Sequence, residues 1–147
     1  MDTTRMAPNM APKWSDAQLK LIREQVDSEM SQFAAKMPEV QTMIVSTSDG
    51  RPLTAFFSTS GDKNRVGAMI SSLLAVCETA SKELVAGRCL SAIVCAEHAN
   101  VVVVRIGGTS SQFVLAVAFD AKLMLGTALR MTHDFGDLVA RIVTTPA

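Results

Sequence analysis

The chain has 147 residues and a mass of 15.7 kDa, the length of one domain, and a chain of that size buries roughly 70% of its unfolded surface without staples. Apolar residues at 48% against charged residues at 19% exclude wholesale disorder. Fourteen Lys and Arg balance fourteen Asp and Glu, and aromatics reach only 5% with no Tyr, so neither a basic stripe nor a stacking platform for nucleic acid is supplied.

Residues 1–13 carry Met, Pro and Asn without a hydrophobic period and are expected to be a disordered tail, and residues 144–147 a short C-terminal tail. The opening stretch lacks the apolar core of a signal peptide, and the longest apolar runs, 101–104 and 113–119, fall far short of the ~20 residues of a membrane span. A cytoplasmic chain without membrane insertion is the expectation. A first helix is announced by Ser15 and Gln18 at capping-box spacing, with Trp14 and Leu19 at the positions of a hydrophobic staple. Leu19, Ile22, Val26, Met30, Phe33 and Met37 follow at steps of three and four, and Pro38 stops the helix.

A strand over 42–47 places Met43 and Val45 on one face and Ile44 on the other. Asp49-Gly50 then marks a hairpin, because Gly accepts positive φ, and the return strand over 53–58 alternates Leu53, Ala55 and Phe57 against Thr54 and Phe56. Asp62 is the expected N-cap of a second helix running to about Val85, with Gly87 just past its end. Val66, Met69, Ile70, Leu73, Cys77, Ala80 and Leu84 read as the stripe that covers a sheet. Gly67, Ala68, Ser71, Ser72, Ala75 and Glu78 form an adjacent face of mostly small side chains, read as a surface that a second helix approaches closely.

Three strands follow, over 90–96, 101–106 and 113–119, joined by short loops as an antiparallel meander. The last is apolar throughout, which a strand needs when both its faces are covered, so it is expected at the centre of the sheet. Leu90, Ser91, Ala92, Ile93 and Val94 carry neither Pro nor Lys, the usual protection of an edge, so this strand is expected to pair with another chain. Arg105 is placed on a strand away from the second helix. Asp120 is read as the cap of a third helix with Leu125, Ala128, Leu129, Phe135, Leu138, Val139 and Ile142 on its apolar side, interrupted by Gly136.

The order helix, two strands, helix, three strands, helix carries no phosphate-binding G-x-x-x-x-G-K-[ST], no G-x-S-x-G elbow and no H-E-x-x-H. Cys77, Cys89 and Cys95, an odd number in apolar stretches, read as small buried hydrophobes in a reducing compartment. Cys89, Cys95 and His98 resemble part of a zinc site, but six residues along one strand put the two thiols about 20 Å apart. His133-Asp134 reads as a solvated pair on a helix, and the 107–111 stretch as a chain reversal rather than an anion nest. No catalytic constellation emerges; the chain is expected to be neither an enzyme nor a holder of a cofactor or metal.

The stretch over 43–53, M-I-V-S-T-S-D-G-R-P-L, resembles the first hairpin of the roadblock/dynein light-chain domain. The Ala/Ser/Leu-rich helix over 68–84, the valine-rich hairpin over 101–106 and 113–119, and Leu125-Gly126 are similar to that family's later elements in order and spacing. The resemblance spans roughly 15–142 and implies one roadblock-like domain over 14–143. It implies an α+β fold, a five-stranded antiparallel sheet with the middle helix on one face and the two terminal helices on the other. It implies a homodimer paired through the third strands and the middle helices, which serves as a non-catalytic adaptor of a small Ras-like GTPase, in bacteria sometimes as its GTPase-activating partner. The alternative is a small-ligand sensor domain with a pocket between sheet and helix.

Overall fold

The computed structural model describes residues 14–85, 87–107 and 112–144. Helix α1 (Asp16–Lys36) starts at a complete capping box: the Ser15 hydroxyl accepts the Gln18 N–H at 3.1 Å, and the Gln18 side chain accepts the Ser15 N–H at 2.9 Å. Ile22, Val26 and Met30 are its buried stripe, and Met37 caps it ahead of Pro38. Trp14 reaches beyond the staple and stacks on Phe113 with ring centroids 5.6 Å apart.

Strands β1 (Val40–Thr47) and β2 (Pro52–Phe57) form the expected hairpin, with Gly50 at φ +96° and the Gly50 N–H donating to the Thr47 carbonyl at 2.9 Å. The simple alternation expected in β2 fails at its start. Val45 pairs with Thr54 and Ser46 with Pro52, so Leu53 is the extra residue of a bulge and joins Phe56 in the α1-side core.

After α2 (Lys63–Val85) come β3 (Ser91–Cys95), β4 (Ala99–Ile106) and β5 (Phe113–Asp120), the meander read from the sequence. The sheet order is β2-β1-β5-β4-β3, antiparallel throughout, with β5 at the centre and six of its eight residues buried. Helix α3 (Leu125–Thr144) starts later than expected. The Asp120 carboxylate accepts the Lys122 N–H at 2.9 Å, which closes a turn over the residues where a cap would have begun the helix. Gly136 does not interrupt α3; it is buried on the stripe Ala128, Thr132, Phe135, Val139, and a Cβ there would lie 3.5 Å from Val104.

The fold is α+β, one five-stranded sheet with α1 and α3 on one face and α2 on the other. Met43, Val45, Leu115, Val117, Phe119, Val102 and Val104 point to α1 and α3. Ile44, Val103, Val114 and Ala116 point to α2. The two sets alternate along each strand with the period of two that a sheet covered on both faces requires.

Candidate functional site

Helix α2 is fixed at its start by the Asp62 carboxylate, which accepts the Asn64 N–H at 3.0 Å and the Arg65 N–H at 3.3 Å. Its sheet side is Gly67, Ile70 and Leu74, all buried, flanked by Val66, Leu73 and Cys77. The stripe read from the sequence is therefore rotated. Of that stripe, Met69 at 54%, Ala80 and Leu84 at 81% are exposed, as is Val76 beside it, while Leu74 takes the core position.

The small-residue face divides in two. Ala68, Ser72 and Ala75 are exposed and point away from the sheet, where Ala68, Met69, Ser72, Leu73 and Val76 line a shallow apolar groove. Gly67, Ser71 and Glu78 point inward. A Cβ on Gly67 would come within 2.8 Å of the Gly50 carbonyl, so its smallness serves the hairpin beneath the helix. The Ser71 hydroxyl donates to the Ser48 carbonyl at 2.7 Å.

Glu78 meets Arg105 at 2.8 Å, with each side chain only 14% exposed, and Arg88 stands 3.8 Å from its other oxygen. The Arg105 hydrogen bond holds the Glu78 carboxyl below the ordinary carboxylate range against the opposing effect of burial. This overturns the expected place of Arg105, which lies directly under α2 and ties that helix to β4. A lone arginine in the valine-rich β4 is the sequence signal for this bond, since a cation amid apolar strand residues needs a carboxylate opposite.

Strand β3 pairs only with β4 among the described residues and so ends the sheet. Ser91 and Ala92 are half-buried; Leu90 at 67%, Ile93 and Val94 are exposed. Ten large apolar side chains are exposed among the described residues, and seven of them fall on α2 or in the β3 region: Met69, Val76, Leu84, Val85, Leu90, Ile93 and Val94. Large exposed apolar side chains thus fall mostly on α2 and around β3 rather than being spread evenly over the surface.

The cysteines split rather than sharing one environment. Cys89 is buried with its thiol toward the Ser91 carbonyl, Cys77 is half-buried, and Cys95 is exposed on β3, contrary to the expectation of a buried thiol. Burial, and then the neighbouring Cys89, push the Cys77 thiol up, which keeps it protonated and a poor nucleophile. Among the described residues no three His, Cys, Asp or Glu side chains converge to hold a metal ion. His133 and Asp134 are both exposed on α3, and His98 faces Glu97 at 3.5 Å on the surface. The anion-nest question at 107–111 falls mostly outside the described residues, as does the tail over 1–13. No helix among the described residues is long and apolar enough to cross a membrane.

No protein-family model matches the sequence, and no curated protein matches it. Solved structures do. An MglB with a tetrameric arrangement superposes with a TM-score of 0.71 at 15% identity, over 83% of this chain and 90% of that one. A roadblock/LC7 domain from Streptomyces avermitilis gives 0.68 at 15% identity, over 78% and 94%. Myxococcus xanthus MglB gives 0.65 at 12% identity, over 91% and 97%. The architecture is that of the roadblock/LC7 domain, the fold that the hairpin and helix motifs resemble.

Proposed function

We propose that the chain is a non-catalytic homodimeric adaptor that regulates a small Ras-like GTPase, in the manner implied by its resemblance to roadblock domains. The fold is of the small-GTPase regulator type. The observation that carries the reading is the exposed apolar side of α2 together with the exposed residues of the edge strand β3. A second copy related by a two-fold axis would lay its own α2 on Ala68, Ser72 and Ala75 and its own β3 along β3, an isologous interface that covers the exposed side chains and completes the open ladder. Gly67, Ser71 and Glu78 act within this surface from below, holding α2 on the hairpin and on β4. The GTPase would be engaged by the paired α2 helices, with or without stimulation of hydrolysis. One structural relative of this fold is an MglB with a tetrameric arrangement.

The test is Ala75→Arg, a long cation at the centre of the outward face. A charge forced unpaired into a closed helix contact is costly enough to abolish it, while the same side chain on a solvated helix costs little. The variant is expected to keep its circular dichroism while losing both self-association and capture of a small GTPase from the native cell extract. Gln25→Arg, on the exposed side of α1, is the matched control and is expected to keep both. Retention of both by Ala75→Arg would show that partners bind elsewhere.

A further inference from the structure

On the sheet face opposite α2, between the start of α1 and the β1–β2 hairpin, lies a cavity of about 290 Å³. The pairing surface described above does not reach it. Trp14 and Phe113 form one wall as stacked rings, and Leu19 and Leu53 add aliphatic surface. Arg23 and Arg51 supply charge at the same cavity. Apolar walls with one or two placed polar groups are the usual make-up of a small-molecule site, and this volume lies at the small end of that range.

The two arginines are not equivalent. Arg51 is largely exposed and faces the Asp49 carboxylate at 3.6 Å, and Asp49 is itself held charged by the Thr47 hydroxyl. Its charge is therefore answered within the hairpin. Arg23 is half-buried, and its Nε–H donates to the Leu53 carbonyl at 2.8 Å. That carbonyl belongs to the bulge residue of β2, so the bulge orients the guanidinium. One bond uses one of five guanidinium donors. Asp27, one turn further along α1, accepts from the Thr54 hydroxyl and also lies close enough to Arg23 to feel its charge. Arg23 thus presents an oriented fork with one donor spent on Leu53 and its charge partly offset by Asp27, beside rings and aliphatic carbon.

A carboxylate takes two parallel N–H donors from such a fork, and a short hydrocarbon tail would displace water from the apolar wall. We propose that this cavity binds a small aliphatic carboxylate, its head on Arg23 and its tail against Trp14, Leu19 and Leu53.

Trp14 is the only tryptophan in the chain, so its fluorescence reports on this cavity alone. The probes are octanoate and, as the uncharged analogue, 1-octanol, titrated into the full chain. Octanoate is expected to shift Trp14 emission saturably, with octanol about tenfold weaker because it cannot accept the charged fork. Arg23→Met is expected to weaken octanoate about tenfold while leaving octanol binding unchanged, and Arg51→Met to have little effect. No saturable shift with octanoate would overturn the proposal, as would octanol binding as tightly as octanoate to the native chain. A preference for octanoate that survives in Arg23→Met would overturn it equally. Should Arg23→Met lose its fold, the native chain's discrimination between the two probes decides alone.

Discussion

The two faces of the sheet are built to different depths. On the side of α1 and α3, eighteen buried apolar residues among those described, including Phe119, Met30 and Met43, fill the space between the two helices and strands β1, β2, β4 and β5. On the α2 side the buried apolar residues among those described are seven: Ile44, Ile70, Leu74, Cys89, Val103, Val114 and Ala116. One helix cannot cover five strands spaced roughly 5 Å apart, so much of the second face is left partly open. Among the described residues, seven of the ten exposed large apolar side chains lie on α2 or around β3, of which Ile93, opposite Val102, faces the α1 and α3 side. The first face is the more deeply packed of the two, and the second leaves more apolar surface exposed.

Two leucines make the contrast measurable. Leu115 is fully buried between the sheet and the paired helices, and Leu74 is buried under α2. The chemistry of Leu→Ala is the same at both, so the difference reports how far the surroundings can collapse. Leu115→Ala is expected to cost about 4–5 kcal/mol and Leu74→Ala about 2–3 kcal/mol by urea unfolding. Equal losses would show that the two cores are equally closed.

The α2 side depends more on its polar link. Arg105→Met leaves the Glu78 carboxylate with only the more distant Arg88, and a loss of about 2 kcal/mol at neutral pH is expected. Because Arg105 holds the Glu78 carboxyl low, the stabilisation is complete above the ordinary carboxylate range and is lost as the pH falls through the folded value. The gap between native chain and variant should therefore narrow on acidification, as followed by thermal melts. A gap that stays constant down to acid pH would assign the loss to packing of the Arg105 stem.

The sequence was most legible where one local signal had one solution. Ser15 and Gln18 fixed the start of α1, Asp49-Gly50 the first hairpin, and the unbroken apolar run of β5 its central place. It was least legible on α2. Apolar residues at 66, 69, 70, 73, 74, 76 and 77 surround most of that helix, so hydrophobic period alone does not choose which side meets the sheet. The choice is made by tertiary contacts: the close approach of Gly67 to Gly50, and the bond from Glu78 to Arg105. Leu53 was misassigned for a related reason, since a bulge shifts the alternation by one residue without any mark in composition. Asp120 looks like a helix cap from sequence because the same carboxylate chemistry serves a turn.

The claim that the α2 and β3 surface is a pairing surface is tested most directly by light scattering behind a sizing column, on the native chain across micromolar concentrations and on Val76→Arg. The native chain is expected at twice 15.7 kDa, and the variant at 15.7 kDa with unchanged circular dichroism. A native chain that stays at 15.7 kDa throughout, or a variant that still doubles its mass, would contradict it.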